Sequence, residues 1–465
     1  MTDNKSFYIT TPIYYVNDKP HIGHVYTTVA CDVLARHKRL DGYNVKFLTG
    51  TDEHGQKVHK AAAAQGMDPQ SFTDHVSQNF RDLIKTMNYS NDDFIRTTED
   101  RHVKACQHLW KTLEDNGQIY LDSYAGWYSV RDEAFHTEDE LTTDKDGTKY
   151  APSGAPVEWV EEESYFFRLS NWADKLLDLY DNTPDFVQPQ TRLNEVRSFV
   201  AGGLRDLSIS RTTFDWGVPV PGNGKHIMYV WIDALTNYLT ALGYPETSGE
   251  YAQFWPADIH MVGKDILRFH AVYWPAFLMA AGIEPPKKVY AHGWMTIEGQ
   301  KMSKSLGNVI APEDLVERYG VDPARYFMLR ETPFGNDGDF SHDSAVHRIN
   351  SDLANGIGNL AQRTLSMIYK NCDGEIPAPN GYNDNDKQLL EKAYNEVFPA
   401  VEPLFDNCQF NKVLEKYMEL AADCDAYIDQ NAPWKLKNDD PERMKTVLYV
   451  VAECVRVISL LKQPF

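Results

Sequence analysis

Apolar residues follow two different periods along this chain. In the first part, short apolar runs alternate with longer stretches in which apolar residues recur every three or four positions. The short runs predict strands and the longer stretches predict helices. They predict strands at residues 7–11 and 44–50, and helices at residues 21–39, 57–65, 69–87 and 101–115. Because strand and helix alternate, the pattern favours a doubly wound parallel sheet of the α/β class.

The alternation is interrupted once and later ends. Between residues 117 and 226, aromatic and acidic residues mix with turn sequences, which predicts an inserted α/β module. Alternation then resumes, with predicted strands at residues 228–231 and 259–262 and helices at residues 233–242 and 266–281. After residue 343 only helical spacing remains, which predicts a C-terminal α-helical bundle. The predicted domains are the two halves of a Rossmann-type sheet at residues 1–116 and 227–293, the module at 117–226, a loop and linker at 294–343, and the bundle at 344–465.

Composition indicates an ordinary globular protein. Its 465 residues include 42% hydrophobic and 24% charged residues, and the length predicts more than one domain. No apolar run is long enough to cross a bilayer, and residues 1–5 lack the basic and apolar regions of a secretory signal. The six cysteines show neither pairing nor ligand spacing, which is typical of a reducing compartment. These features predict a cytoplasmic protein without a membrane partner.

The net charge limits the possible partners. At −21 it argues against a protein that is basic overall and binds nucleic acid with its whole surface. A local basic face is still possible, because contact with phosphate needs only a few neighbouring cationic side chains. Near the C-terminus, local positive charge comes from Lys435, Lys437, Arg443 and Lys445.

Two short runs carry residues that suit phosphate chemistry. His21-Ile22-Gly23-His24 follows the first predicted strand, and Lys301-Met302-Ser303-Lys304-Ser305 follows the apolar run at residues 289–291. In open α/β sheets, ligands bind beyond the carboxyl ends of the strands, where helix N-termini offer N–H donors to phosphate. Imidazole and ammonium groups at that edge would stabilise the charge that develops on a triphosphate under attack. We therefore predict that the two runs meet around one nucleotide.

The two runs resemble the paired signatures of the class I aminoacyl-tRNA synthetases, and nearly the whole chain resembles the methionyl-tRNA synthetase family. This resemblance implies ATP-dependent attachment of L-methionine to its tRNA through a methionyl-adenylate intermediate, with release of pyrophosphate and then AMP. The implied partners are methionine, ATP with Mg²⁺ as co-substrate, and tRNA(Met), including the initiator tRNA. The implied oligomeric state is a monomer.

The resemblance also implies the residues that bind the nucleotide. His21 and His24 would be catalytic residues on the phosphates and ribose, and Gly23 would leave room for the adenine. Lys301 and Lys304 would be catalytic residues that close over the pyrophosphate in the transition state. The remaining ATP-binding residues would be Gly263, Asp265, Met302, Ser303 and Ser305, with Asp265 accepting a ribose hydroxyl.

A pocket for methionine should be apolar and aromatic, with one carboxylate for the ammonium group. By resemblance, Asp52 would bind the ammonium group, while Trp231 and His270 would border the thioether. The complete implied set is Ile13, Tyr15, Asp52, Trp231, Ala234, Leu235, Tyr238, Ile266 and His270.

Three residues of the predicted bundle resemble those with which the family reads the anticodon. Asn359 and Arg363 stand four positions apart, so they share one face of a predicted helix. Trp434 follows Pro433, and its indole would offer a stacking platform for an unpaired base.

The inserted module departs from the pattern of many family members, which carry Cys-x-x-Cys pairs that bind zinc there. Ser129 and Asp132 stand where the first cysteine pair would be, and no cysteine lies between Cys106 and Cys372. We therefore predict no metal ligands and no structural zinc.

Other functions also fit parts of the sequence. Another class I synthetase for an apolar amino acid would share both runs, although the leucyl, isoleucyl and valyl enzymes carry a much larger insertion. A small-molecule nucleotidylyltransferase would share a His-x-Gly-His run but would lack the helical region after residue 343. A non-catalytic RNA-binding relative is disfavoured, because every expected signature position is filled.

Overall fold

The computed structural model describes residues 5–16, 19–132, 134–302 and 308–465. The chain forms two compact units. The first comprises Met1–Cys31 and Lys38–His292, and the second comprises Asp32–His37 and Gly293–Phe465. Within the described ranges, no helix combines the length and the apolarity that a membrane crossing needs.

The first unit contains both strands and helices. Its strands are β1 (Ser6–Thr10), β2 (Tyr14–Tyr15), β3 (Asn44–Asp52), β4 (Asp93–Arg96), β5 (Ile119–Ser129), β6 (Ala134–His136), β7 (Thr142–Thr143), β8 (Lys149–Tyr150), β9 (Glu158–Phe167), β10 (Val187–Gln188), β11 (Leu207–Ser208), β12 (Ser210–Arg211), β13 (Ile227–Met228), β14 (Ile259–Gly263) and β15 (Val289–His292). Its helices are α1 (Ile22–Leu40, whose residues 32–37 fall in the second unit), α2 (Gln56–Ala64), α3 (Pro69–Thr86), α4 (Asp100–Asp115), α5 (Ala173–Asn182), α6 (Gln190–Ala201), α7 (Val230–Thr240), α8 (Glu250–Phe254) and α9 (Trp274–Ala280).

The main sheet is parallel and doubly wound. Its strands run in the order β10, β15, β14, β1, β3, β2, and β4 also pairs with β3. Helices cover both faces of such a sheet, so its strands are continuously buried rather than alternating. In β3, Phe47 and every residue that follows it are buried. The order in which strands are added to the sheet reverses between β1 and β14. Ligand sites form beyond the carboxyl ends of the strands at such a point.

The inserted region has its own antiparallel sheet, in the order β11, β9, β5, β6. β5 and β9 form its long central pair, with Ile119 opposite Phe167 at one end. β10 also lies within residues 117–226, but it belongs to the main sheet, where it pairs in parallel with β15. The chain therefore returns to the main sheet before the predicted end of the module.

The predicted strand at residues 228–231 is correct only at Met228. β13 ends at Met228 and pairs in antiparallel fashion with β12, outside the main sheet. Helix α7 begins at Val230, and Trp231 is the one residue of that helix that is not buried. A short, fully apolar run has the same pattern in a buried strand and in a buried helix, so periodicity does not separate them.

The second unit is mainly helical. A small sheet joins β16 (Met295–Ile297) to β17 (Gln300–Lys301) and β18 (Gly338–Phe340). Its helices are α10 (Pro312–Tyr319), α11 (Val321–Arg330), α12 (His342–Arg348), α13 (Asn359–Asn371), α14 (Asp384–Glu391), α15 (Val397–Asp406), α16 (Phe410–Asn431), α17 (Pro433–Asp439) and α18 (Pro441–Leu461), with π-helical turns at Ile349–Gly358 and Lys392–Glu396. The predicted fold class, a doubly wound sheet with an insertion and a C-terminal helical bundle, is confirmed. The predicted domain bounds stay predictions.

Candidate active site

The imidazoles of His21 and His24 lie together at the start of α1. Their ring centroids are 3.9 Å apart. The backbone N–H of His21 donates to Nδ1 of His24 at 3.0 Å, and the N–H of Gly23 donates to Nδ1 of His21 at 3.1 Å. Because each Nδ1 accepts a hydrogen bond, each neutral ring carries its proton on Nε2. Two Nε2–H donors therefore stand beside a helix N-terminus, which itself favours anions.

His24 is kept neutral by its surroundings. Its ring centroid lies 4.7 Å from that of Tyr14 and 5.3 Å from that of Phe80. Burial, and to a smaller extent the neighbouring His21, holds the pKa of His24 well below its usual range. His24 can therefore donate a hydrogen bond at neutral pH without bringing a full charge into the site.

A second group of polar residues lies at the ends of β14 and β15. Gly263 ends β14 and pairs in register with His292, which ends β15. The 3-10 turn Lys264–Ile266 follows, and the side chain of Asp265 is exposed there. A ring nitrogen of His292 lies 2.8 Å from Oγ1 of Thr27 on α1. This hydrogen bond ties the strand ends to the helix that begins after His21.

Asp52 lies at the carboxyl end of β3, where the chain is held from two sides. Asp52 pairs in register with Tyr15 of β2, and its carbonyl oxygen accepts the N–H of Val16 at 3.2 Å. The Tyr15 hydroxyl donates to the carbonyl oxygen of His54 at 3.1 Å. The carboxylate of Glu53 accepts two hydrogen bonds from Arg96, at 2.7 and 2.9 Å. The Asp52 side chain, 4% exposed, is thus presented from a fixed loop.

Four of the predicted methionine-binding residues form one contact cluster: Trp231, Tyr238, Ile266 and His270. Ile13, Tyr15, Trp231 and Ile266 are half-buried, and they pack on the core that contains Leu235 and Tyr238. Ala234 is buried on the same helix as Trp231 and Tyr238. Half-buried apolar side chains on a packed core are typical of a pocket wall, because one face remains available to a ligand. The structure therefore brings Trp231, Tyr238, Ile266 and His270 together at α7. That Ile13, Tyr15 and Asp52 share one pocket with them stays a prediction.

Tyr238 and His270 form the polar part of this cluster. Nδ1 of His270 donates to the carbonyl oxygen of Ile266 at 3.0 Å, so Nε2 is the acceptor of the Tyr238 hydroxyl at 2.7 Å. Burial lowers the pKa of His270 to about 4, which keeps the imidazole neutral at neutral pH. His270 lies in the π-helical turn Phe269–Tyr273, a distortion that is frequent at functional sites.

Phe269 belongs to the same wall, although the sequence analysis does not include it. Its ring stacks on Trp231, with centroids 3.6 Å apart and planes 5° from parallel. Within the described residues, the buried Nε1 of Trp231 has no hydrogen-bond partner. The signal in the sequence is the position of Phe269 directly before His270, but neighbouring residues on a regular helix point in different directions. Both residues belong to the π-helical turn, and the ring centroid of Trp231 also lies 6.3 Å from that of His270.

The lysine-containing run lies in the second unit. Lys301 ends β17, and its Nζ lies 4.2 Å from the centroid of the Trp294 ring. Met302 follows it and is half-buried. Ser303, Lys304 and Ser305 lie outside the described residues. The predicted meeting of the two runs around one nucleotide therefore stays a prediction.

The three predicted anticodon residues lie on neighbouring helices of the second unit. Asn359 begins α13, and Arg363, one turn later, lies 3.5 Å from Asp425 and 3.7 Å from Asp429 of α16. α16 ends at a left-handed residue, Ala432, with φ 44°. Directly after it, Pro433 begins α17.

Trp434, the second residue of α17, is 47% exposed. About half of its surface is therefore open to a partner.

Two of the four residues predicted to provide local positive charge are paired with carboxylates. Arg443 donates to both carboxylate oxygens of the buried Asp386, at 2.5 and 2.8 Å, and to Oδ1 of Asn431 at 2.7 Å. Its charge is balanced inside the bundle rather than offered to a partner. Lys445 is likewise paired with Glu442, at 2.8 Å. Lys435 and Lys437 are exposed, as a basic face requires.

Comparison with known proteins decides the family. The family model described as tRNA synthetases class I (M) matches residues 7–365. A methionine–tRNA ligase of Rickettsia felis is 58% identical over 462 residues, covering 99% of this chain and 90% of the relative. This chain belongs to the methionyl-tRNA synthetase family. A methionine–tRNA ligase of Brucella suis is 54% identical over 461 residues, covering 99% of this chain and 89% of the relative.

A solved structure of the family matches along the whole chain. Mycobacterium tuberculosis methionyl-tRNA synthetase in complex with methionyl-adenylate has a TM-score of 0.97 and 52% sequence identity, and the match covers 99% of this chain and 91% of that one. The resemblance stated from the sequence and the fold that it implies are therefore confirmed. The roles of individual residues stay predictions.

Proposed function

We propose that this chain attaches L-methionine to tRNA(Met), including the initiator tRNA, in two steps. In the first, a carboxylate oxygen of methionine attacks the α-phosphorus of ATP, and the bond to the bridging oxygen of pyrophosphate breaks. In the second, a hydroxyl of the terminal ribose of tRNA attacks the carbonyl carbon of methionyl-adenylate, and AMP leaves. Neither step needs a nucleophile from the protein, so positioning and charge stabilisation supply the catalysis.

The observation that carries this proposal is the neutral pair of Tyr238 and His270 inside an aromatic wall. A thioether is apolar and polarizable, and it favours aromatic neighbours. A charged imidazole in the same place would favour an anionic or strongly polar side chain instead. With Trp231 stacked on Phe269, the wall offers flat aromatic surface next to one weakly polar point. These features support an apolar, polarizable side chain such as that of methionine.

The first unit also has groups that suit the ammonium group of methionine and the phosphates and nucleoside of ATP. Asp52, at the end of β3, is proposed to bind the ammonium group. The Nε2–H groups of His21 and His24 are proposed to donate to phosphate oxygens at the start of α1, while Gly23 leaves room for the adenine. Asp265 is proposed to accept a ribose hydroxyl. Removing one well-placed donor to developing charge typically costs about 3 kcal/mol of the barrier, or roughly 100-fold in rate.

The lysines of the second run are proposed to act on the leaving group. Lys301 and Lys304 would neutralise the pyrophosphate as its bond to the α-phosphorus breaks, and Mg²⁺ would enter with ATP as part of the substrate. Replacement of Lys304 by Ala should therefore lower the rate of adenylate formation more than the affinity for methionine. An unchanged rate would overturn this role.

The exposed indole of Trp434 supports a role in reading the anticodon. An exposed aromatic ring that follows a rigid left-handed turn offers a surface on which an unpaired base can stack. Arg363 and Asn359 are proposed to contact neighbouring bases from α13.

The inserted module supports a fold without zinc. Ser129 Oγ donates to Oδ2 of Asp132 at 2.8 Å and accepts the Asp132 N–H at 3.2 Å, and Ser153 donates to the same carboxylate oxygen. Hydroxyl groups are not ligands that zinc favours, and a single carboxylate does not make a tetrahedral site. We propose that these hydrogen bonds close the turn by themselves. Stoichiometric zinc in the purified protein would overturn this proposal.

Amino-acid-dependent exchange of pyrophosphate into ATP tests the proposed function directly. Each of the twenty amino acids is assayed with the purified chain, ATP and Mg²⁺, and methionine alone should give strong exchange. Strong exchange with another apolar amino acid would indicate a different class I synthetase. Exchange that needs no amino acid would indicate a nucleotidylyltransferase. Charging of tRNA(Met) transcripts completes the test, and sedimentation of the same sample checks the predicted monomer.

A further inference from the structure

A buried carboxylate beside the proposed methionine pocket joins two parts of the first unit. Oδ2 of Asp233 on α7 lies 2.7 Å from Nδ1 of His54, and Oδ1 lies 2.7 Å from Nε2 of His102. His102 also contacts Oγ1 of Thr240 at 3.1 Å and Sγ of Cys106 at 3.2 Å. The side chains of Asp233 and His102 are fully buried, and that of His54 is nearly so.

The geometry of this cluster is that of hydrogen bonds rather than of metal coordination. His102, Cys106 and Asp233 place one potential ligand atom each within 4.8 Å of one another. Nitrogen and oxygen ligands about 2.0–2.1 Å from a tetrahedral zinc ion stand roughly 3.3 Å apart. The 2.7 Å between Nε2 of His102 and Oδ1 of Asp233 is shorter than that. The cluster therefore links helices and a loop directly.

The carboxylate of Asp233 is ionised in this setting. Burial by itself would raise the pKa of Asp233, but the two histidines outweigh it and hold the pKa well below its usual range. Both ring nitrogens that face it must therefore donate. A buried charge is tolerated only with such partners, so loss of one is costly. The two hydrogen bonds define where α7 stands relative to His54.

The two hydrogen bonds of Asp233, which we call the His54 arm and the His102 arm, connect it to different elements. The His54 arm leads to the loop after β3, because His54 stands two residues after Asp52 and its carbonyl oxygen accepts the Tyr15 hydroxyl. The His102 arm leads to α4, which contributes no residue to the proposed pocket. Asp233 itself lies on α7 between Trp231 and Ala234. One carboxylate thus connects the residue proposed for the ammonium group with the wall proposed for the side chain.

We propose that Asp233 is a positioning residue for methionine, which sets the spacing between Asp52 and the aromatic wall of α7 through its hydrogen bond to His54. The proposal rests on the proposed function. The substrate must reach both places at once, so their separation decides its affinity. Asparagine at position 233 accepts from only one of the two histidines, since its amide nitrogen is a donor. The resulting shift of α7 should weaken binding of methionine and leave the nucleotide groups of His21 and Asp265 in place.

Three single variants of the full chain separate this role from a general role in the core. Asp233→Asn and His54→Gln should each raise the KM for methionine by about 10-fold to 100-fold, since misplacement by about 1 Å has effects of that size. The KM for ATP should change by less than about twofold in both. His102→Gln is the matched control, because it removes the arm that leads away from the pocket. It should lower the Tm while the KM for methionine stays within about twofold.

Pyrophosphate exchange at saturating ATP and at saturating methionine gives both constants, and thermal unfolding gives the Tm of each variant. A normal methionine KM in folded His54→Gln, or an equal rise in both KM values, would overturn the proposal. If Asp233→Asn does not fold, His54→Gln decides the same question, because it removes only the arm to the pocket. Wild-type exchange with another amino acid would overturn the proposed function instead, and the KM ratio for that amino acid would still decide the role of Asp233.

Discussion

Substitution of Gly263 by Ala should raise the KM for ATP and leave the KM for methionine unchanged. Gly263 has φ −69° and ψ 148°, a conformation that alanine adopts without strain. A Cβ at this position would lie 2.5 Å from Oδ1 of Asp265, whereas ordinary contacts of this kind lie at 3.4–4 Å. The nearest other side-chain atom outside Asp265 is Cε1 of His292 at 3.9 Å, which needs no adjustment. The methyl group therefore acts on one carboxylate.

The size of the effect follows from that displacement. The Asp265 carboxylate must move by about 1 Å, enough to break its proposed hydrogen bond to the ribose. A hydrogen bond to a charged group contributes about 1.5–3 kcal/mol, and each 1.4 kcal/mol is tenfold in affinity. The KM for ATP should therefore rise by roughly 10-fold to 100-fold. The Tm should stay the same or rise slightly, because alanine restricts the unfolded chain more than glycine does.

Pyrophosphate exchange with ATP or methionine varied separately gives the two KM values. Asp265→Ala should raise the KM for ATP to a similar extent, and the double variant should be no worse than Asp265→Ala alone. This non-additivity is expected because the methyl group acts only through the carboxylate. Effects that multiply in the double variant would refute the reasoning, since the methyl group would then contact the nucleotide itself. An unchanged KM for ATP in Gly263→Ala would refute the role of Asp265.

Three further predictions concern the bundle and acid stability. Trp434→Ala should lower aminoacylation of tRNA(Met) while exchange of pyrophosphate stays unchanged, and equal loss of both activities would contradict the anticodon role. Arg443→Met should destabilise the bundle by about 3–5 kcal/mol in denaturant unfolding, because it leaves the Asp386 carboxylate buried without its bidentate partner. Stability should fall as the pH drops from about 6.5 towards 4, because the unfolded chain binds protons that the buried, neutral His270 does not. His270 alone accounts for about 3 kcal/mol of this loss, and denaturant unfolding at a series of pH values should show a matching slope.

The parallel sheet could be predicted because its strands carry a strong local signal. The run at residues 7–11 corresponds to Ser6–Thr10, and the run at 44–50 corresponds to the first part of Asn44–Asp52. Gly50 explains why the second strand passes so close to its neighbour. A Cβ there would collide with the backbone of Ile95 on β4. Where the signal is short and wholly apolar, as at residues 228–231, it does not separate a strand from the start of a buried helix.

Irregular helices could not be predicted from periodicity. The apolar spacing at residues 266–281 predicts one helix, whereas the structure has a 3-10 turn, a π-helical turn and α9 in succession. A π-helical turn changes the angle between successive side chains, so residues that a regular helix would separate come to share a face. Phe269 and His270 both lie in that turn and both contact Trp231. The proposed pocket wall therefore includes a local distortion that leaves no mark on the hydrophobic pattern.

Charge and hydrogen bonding were the least accessible to sequence analysis, because both depend on partners that are far away in the chain. From the sequence, Arg443 is expected to be a surface cation near Trp434. Asp386, 57 positions away, instead binds its guanidinium group inside the bundle. A histidine ordinarily titrates near neutral pH, yet burial lowers the pKa of His270 to about 4. The Ile266 carbonyl oxygen accepts a hydrogen bond from Nδ1–H of His270, so Nε2 accepts from Tyr238.

The hydrogen bond between Tyr238 and His270 explains how the proposed pocket could select a thioether although its wall contains polar residues. The Tyr238 hydroxyl proton and the lone pair of His270 Nε2 satisfy each other at 2.7 Å, so neither seeks a strong hydrogen bond from the substrate. A substrate with a charged or strongly polar side chain would lose its own hydration there and gain little in exchange. A thioether loses almost no hydration and gains contact with the aromatic rings. Replacement of Tyr238 by Phe should break this balance by leaving Nε2 of His270 as a buried acceptor. Discrimination against polar amino acids in pyrophosphate exchange should then fall, and unchanged discrimination would show that the aromatic wall alone selects the substrate.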